Sequence, residues 1–231
     1  MSVSETNRTK VLDRIRDALG ANAPDTWREV DVRHRLVTHP SGTIPARSLG
    51  NHEACLTLFH GMLASQGADV ARVHDPEGVV KVIAGYLADL DVPTELRISE
   101  EPVLVTLPWP LAPRLKQVYG APSPSDKVGL SRAIAGVAET GTLFLVSGAG
   151  NPISLNFLPE THIVLVDAGD IVGSYEQAWD NLRGLYGEGT LPRTVNWISG
   201  PSRTADIEQT IVRGAHGPKC LFVVILDEQG P

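Results

Sequence analysis

Three short segments concentrate side chains suited to chemistry. The first, ISGPSRTADIE over 198–208, follows an apolar run and precedes a stretch whose spacing predicts a helix over 205–213. In an open α/β sheet, ligands gather where glycine lets the backbone approach and where free helix N–H groups face an anion. Ser199, Gly200, Ser202, Arg203 and Thr204 suit that role, with small hydroxyls beside one arginine for a phosphate or carboxylate. Asp206 joins this candidate ligand-binding set. With Glu208 it would stand in the first helical turn, where acids favour the helix dipole but compete for the same N–H groups. The plain alternative is an N-cap by Ser202 or Thr204, and the segment is neither a Walker loop nor a GxGxxG turn.

The second segment is AETGT over 138–142, immediately before an apolar strand. A carboxylate beside a glycine turn at a sheet edge has the chemistry of a general base or a covalent nucleophile. Glu139 is therefore the candidate catalytic residue, with Thr140, Gly141 and Thr142 as ligand-binding neighbours; an ordinary exposed turn acid is the competing reading. The third segment, GAHGP over 214–218, sets His216 between two glycine turns, free to titrate or bind. Its position between a helix and the last strand places it at the amino ends of the strands, opposite the usual active edge, which argues against its sharing the first segment's site.

No metal site is expected: His34, His39, His52, His60, His74 and His162 show no HxH or HxxxH spacing. Cys55 and Cys220 are the only cysteines and form no CxxC, so a four-thiolate cluster cannot be built from this chain. With 20 Lys+Arg against 27 Asp+Glu, the net charge of −7 excludes a generally basic, nucleic-acid-coating protein. Charges interrupt the first twenty residues, so no signal peptide is expected there, and no run approaches the ~18 apolar residues of a membrane span. A cytoplasmic protein is the expectation. At 42% hydrophobic and 20% charged the chain can build a core. Its 22 glycines and 17 prolines exceed the average combined share of about 12%, so many tight turns follow.

These segments need elements to hold them. Val11, Leu12, Ile15 and Leu19 recur at helical spacing with Gly20 as a stop, which predicts a short amphipathic helix. Pro24, Pro40 and Pro45 break periodicity over 21–50, which reads as an extended arm. From residue 51 the pattern alternates: helix 53–66, strand 69–73, helix 76–90, strand 103–107, a helical turn from Ser131 toward Glu139, strands 143–147 and 162–167, helix 171–185, strand 194–198, helix 205–213 and strand 221–226. Short apolar strands separated by helices mean an α/β fold with a largely parallel sheet covered on both faces. Residues 1–50 are expected as a helix and arm, and 51–231 as the α/β domain.

Taken together, AIAGVAETGT at 133–142, LPETHIVLV at 158–166, ISGPSRTADIE at 198–208 and GAHGPKCLFVVIL at 214–226 resemble, in order and spacing, the lactate utilization protein C family, built on the LUD domain. The likeness covers about 51–227. It implies a three-layer α/β/α fold with a mainly parallel sheet, similar to the NagB/RpiA/CoA-transferase group. It also implies a part in L-lactate oxidation to pyruvate beside two partner proteins that carry iron–sulfur clusters, so this chain would bind no cofactor itself. Glu139-Thr140-Gly141 looks similar to the glutamate–glycine motif that carries the covalent nucleophile of CoA transferases. Residues 21–50 have no counterpart in the resemblance. Three functional readings stay open: a clusterless lactate-system component binding a small anion, an independent CoA-transferase-like or ligase-like enzyme using Glu139, and an interaction module without a working pocket.

Overall fold

Between Pro24 and Pro40 no proline or glycine interrupts the chain, and 26–38 of that stretch is helical. The computed structural model describes residues 3–20, 26–187, 189–207 and 210–228, with side chains described except at 3–5, 26, 205–207 and 210–212. The chain divides into two units, 1–42 and 43–231. In the first, α1 (Val3–Ala18) is closed by Gly20 at φ +62°, as its C-terminal stop predicts. The extended-arm reading is corrected by a second helix, α2 (Thr26–Thr38). Its (i, i+4) ion pairs Glu29–Arg33 (2.6 Å) and Asp31–Arg35 (3.0 Å) support it, and the prolines flank it rather than break it. Residues 21–25 of the arm lie outside the described residues.

In the second unit, α3 (His52–Ser65) starts at Asn51, whose side chain accepts from the Ala54 N–H, and buries Cys55, Leu56, Phe59 and Leu63 along one stripe. Strand β1 (Asp69–Val73) leads to α4 (Pro76–Asp89), capped by Asp75 with Pro76 in the first turn and burying Val79, Val80, Ile83 and Leu87. Then come β2 (Glu95–Ile98), the single turn α5 (Pro102–Val105), β3 (Lys116–Tyr119), β4 (Val128–Arg132), β5 (Ala135–Val137), β6 (Thr142–Val146), β7 (Thr161–Asp167) and β8 (Ile171–Val172). The rest is α6 (Tyr175–Tyr186), β9 (Val195–Ile198), the hairpin strands β10 (Arg203–Ile207) and β11 (Thr210–Arg213), and β12 (Cys220–Leu226).

Six strands form one wholly parallel sheet in the order β1-β12-β7-β4-β2-β3. Alternation along β7 and β12 sorts its two faces. Ile163, Leu165, Phe222, Val224 and Leu226 pack with α4, while Val164, Val166, Leu221, Val223 and Ile225 pack with α3. A strand buried on both faces must read as a continuous apolar run, which is why HIVLV and LFVVIL are so uniform. The α3 side is not covered by helices alone. Leu143 and Leu145 of β6 join that core, and β6 belongs to a second sheet ordered β8-β5-β6-β9, with β6 antiparallel to both β5 and β9. The far face of this second sheet, at Ala135, Val137 and Phe144, packs against Ala178 of α6.

Four local expectations are corrected. Residues 103–107 form no strand: 103–105 belong to α5 and 106–107 to the turn after it, because Pro102 opens the helical turn and Pro108 closes off any extension. The helical turn expected from Ser131 is instead the end of β4 and then β5, where Ser131 pairs with Val164 and Ala135 with Phe144 in two different sheets. The helix expected over 171–185 begins only at Tyr175, since Ile171 and Val172 pair with β5. The described residues of 205–213 form strands rather than a helix: Thr204, Ile207, Thr210, Ile211 and Val212 are β-branched types, stiff at χ1 in a helix and favoured in a strand, and β10 pairs with β11. Glu208 lies outside the described residues.

Candidate functional site

Loss of that helix removes the free N–H groups on which the anion cradle at 198–208 depended. The same residues nevertheless meet the other two segments by a different route. β6 runs antiparallel to β9 with Leu143 opposite Ile198, so Thr142 and Ser199 emerge side by side, and their hydroxyls are 2.5 Å apart. Tyr175 Oη lies 2.8 Å from Thr142 Oγ1 and accepts from Thr140 Oγ1 at 2.9 Å. Thr140, Thr142, Ser199 and Tyr175 thus share one hydroxyl network.

Gly141 makes this turn possible. Its φ is +63°, and a Cβ there would stand 2.7 Å from the Leu63 backbone nitrogen, so the AETGT turn lies directly on the last turn of α3. The Gln66 side-chain amide reinforces the contact by donating to the Thr140 carbonyl at 2.6 Å. Gly200, at φ +103°, closes on the same place: a Cβ would stand 3.0 Å from Gln66 Cβ.

Glu139 is buried, 6% exposed. Its Oε1 accepts from the Tyr175 N–H at 3.3 Å, which sets the carboxylate on the N-terminus of α6, where the helix dipole and a free N–H favour negative charge. Arg203 is exposed, with its guanidinium over Gly67 just beyond α3. Thr204 pairs with Val212 in the hairpin. Asp206 has its backbone in β10, and its side chain lies outside the described residues.

A cavity of about 230 Å³ opens beside the network. It is lined by Ser199, Gly200 and Ser202 of the first segment and by His216 and Gly217 of the third, with Asn156, His162, Trp197 and Leu221. Glu139, Arg203 and Thr204 are not among its lining residues. The two loops are tied together: the Ser202 N–H donates to the Pro218 carbonyl (2.9 Å) and the Gly214 N–H to the Ser202 carbonyl (3.0 Å). The objection to His216 is thereby answered. Its loop does sit at the amino end of β12, but the 199–202 loop leaves β9 in the other sheet, whose opposed direction carries it to that same end.

Two residues that the motifs did not mark complete the site. His162 opens β7 on the α3 side, is wholly buried, and lies with Nε2 2.7 Å from Ser131 Oγ. Burial pushes its pKa down from 6.5 to about 3, so the ring is neutral at physiological pH. Its Nδ1 has no partner, and neither has Oδ1 of Asn156, which is 2% exposed. Buried polar groups are normally paired, so two unpaired ones on one cavity mark a place for a ligand or ordered water. The sequence signals for His162 are a polar residue opening an otherwise apolar strand and its place in the LPETHIVLV segment. Trp197 forms another wall, braced against Phe144 (centroids 5.1 Å apart) and Tyr175 (4.9 Å).

Comparison with known proteins agrees with this core. The family model described as LUD domain matches residues 56–226, which span both loops and the hydroxyl network. The chain belongs to the LUD domain family. The LUD domain chain is 40% identical over 102 residues to lactate utilization protein C of Shouchella clausii (strain KSM-K16), 44% of each protein. It is 38% identical over 102 residues to the protein of that name from Bacillus subtilis (strain 168), 43% of this chain and 42% of that one. The matched stretches thus span less than half of these curated relatives. A crystal structure of a DUF162 family protein from Deinococcus radiodurans shares the fold at a TM-score of 0.55 and 20% identity, covering 77% of this chain and 99% of that one. Among the described residues no helix is long and apolar enough to cross a membrane.

Proposed function

We propose that this LUD domain protein serves lactate utilization as a component that carries no iron–sulfur cluster, and that it binds a small carboxylate in the cavity between the 199–202 and 214–218 loops. The observation that carries this reading is the pair of buried, unpartnered atoms on that cavity, His162 Nδ1 and Asn156 Oδ1. With Ser131 donating to Nε2, the neutral ring presents an Nδ1–H to a carboxylate, and Ser199, Ser202 and His216 add further donors. Asn156 Oδ1 is an acceptor, suited to a hydroxyl on the same ligand. A short hydroxy acid has both groups within a few ångströms of each other.

The relatives named lactate utilization protein C support the assignment to lactate metabolism. The electrons of lactate oxidation then pass to cytoplasmic partner proteins holding the clusters, since Cys55 and Cys220 cannot supply a four-thiolate cluster. Glu139 is assigned to hold α6 rather than to attack a substrate, because its carboxylate is engaged with the Tyr175 N–H.

Gene deletion in the source organism tests this. Growth on L-lactate should be lost, restored by the wild-type gene and not by Ser202→Leu, which fills the cavity. The tagged protein should also co-purify with iron-containing partners. Undiminished growth after deletion would refute the lactate assignment, and full rescue by a folded Ser202→Leu protein would refute the cavity.

A further inference from the structure

The opposite end of the parallel strands carries a second cavity with a different chemistry. The chain leaves β2 for β3 on one side and leaves β4 toward β7 on the other, so connections diverge between the adjacent strands β2 and β4. Beyond the carboxyl ends of strands at such a divergence, open α/β sheets form a crevice that holds ligands. A cavity of about 290 Å³ lies there, lined by Glu100 and Glu101 after β2, Ile134 after β4, Gly150 and Asn151 of the loop after β6, and Tyr186. The loop is fastened to the strand end, since the Glu100 N–H donates to the Gly150 carbonyl at 2.7 Å.

Asn151 is 5% exposed, and its amide orientation is set: Nδ2 donates to the Val146 carbonyl at 2.9 Å. Turning the amide over would face two oxygens, so the unpartnered atom is the acceptor Oδ1. Neither Glu100 nor Glu101 makes an ion pair among the described residues. The nearby cation Arg132 is held by Asp167 and Asp170. Burial keeps the pKa of Glu101 above the ordinary carboxylate value despite the field of Arg132, as expected where compensating charge is short. The cavity therefore offers two carboxylates, a buried acceptor and the aromatic ring of Tyr186, with the hydroxyls of Ser147 and Tyr186 as neutral groups and no cationic side chain among its lining residues.

We propose that this cavity is a binding site for an organic cation that donates N–H groups, a primary alkylammonium. The carboxylates supply charge, Asn151 Oδ1 takes one N–H, Tyr186 faces the cation, and Ile134, Val146 and Pro102 contact the alkyl part. A carboxylate-bearing ligand fits the amino-end cavity and is repelled here, so the two sites stand or fall separately.

Calorimetry on the full-length protein with n-butylammonium as probe tests this. Wild type should bind one equivalent saturably. Glu100→Gln/Glu101→Gln should bind at least tenfold more weakly, and the exposed single change Glu100→Gln at least threefold more weakly. Tetramethylammonium, charged but without N–H, should bind wild type at least fivefold more weakly than n-butylammonium. No saturable binding, unaltered binding in both variants, or equal affinity for tetramethylammonium would overturn the proposal. So would a crystal soaked in Mn²⁺ that shows the metal held by Glu100, Glu101 and Asn151.

Discussion

The two ends of the strands β2, β4, β7 and β12 share one backbone ladder and differ in chemistry. On the α3 side of the amino ends, loops from both sheets close over a neutral histidine, an asparagine and hydroxyls. At the carboxyl ends, charge dominates: Arg132 bridges Asp167 and Asp170, with Glu101 half-buried near it, and towards the β1 edge Arg72 pairs with Glu53 and Asp227. A parallel sheet directs attention to its carboxyl edge, yet the three sequence motifs meet at the other edge. The difference teaches that strand polarity within one sheet locates a site only while every loop comes from that sheet. Here β9, antiparallel to β6, delivers the 199–202 loop where the parallel strands begin.

The largest effect expected comes from Gly141→Val, which attacks the amino-end wall alone. The new side chain would need positive φ and would press on the Leu63 and Met62 backbone. Strain of about 1–2 kcal/mol and overpacking of about 1–3 kcal/mol predict a loss near 3 kcal/mol in urea unfolding. Unchanged stability would show that the AETGT turn does not depend on this close approach.

Acid should separate the two ends by sign. His162 stays neutral when folded, with a pKa of about 3, and is protonated below about pH 6.5 when unfolded, so the unfolded state binds the extra proton. Its contribution is complete above pH 6.5 and is lost as pH falls toward 3, by about 2 kcal/mol at pH 5. His162→Gln should flatten the decline in stability between pH 6.5 and 5, and an identical pH profile would place the ring in water instead. Glu101 has the opposite sign: its raised pKa means the folded state binds the proton first, so its destabilising effect is present at neutral pH and relieved as pH falls through that raised value.

Glu139→Gln should cost about 1 kcal/mol through the weakened hold on the Tyr175 N–H and the α6 dipole, with growth on L-lactate retained. Failure of growth with a folded protein would return Glu139 to the chemistry. The smallest effect is Glu101→Gln, expected to raise stability at pH 7 by less than about 1 kcal/mol and to leave the amino-end cavity untouched. A destabilised Glu101→Gln protein would contradict the raised pKa.

Much of the frame was legible because its period was pure. The stripes of α3 and α4 and the continuous apolar runs of β7 and β12 leave no competing element. β2 and β3 escaped notice because ELRI and KQVY are short and charged; Glu95 and Lys116 pair across the sheet's edge at 2.6 Å, a feature invisible without the register. The hairpin over 203–213 was misread because acids after Ser202 and Thr204 imitate a helix start, while the β-branched residues that decide for strand follow later. Within the site, Ser199, Gly200, Ser202 and His216 were legible from small residues and turns. His162 and Asn156 were not, because an unpartnered buried atom is a property of packing that local spacing does not encode.

The central claim is that the amino-end cavity is the place where a small carboxylate binds. Its most direct test follows the ring resonances of His162 and His216 by NMR during titration with L-lactate and with pyruvate. The account predicts saturable shifts of both rings with at least one of these acids, while the Tyr186 ring at the carboxyl end stays put. Rings of His162 and His216 that do not move with either acid, or shifts confined to Tyr186, would contradict it.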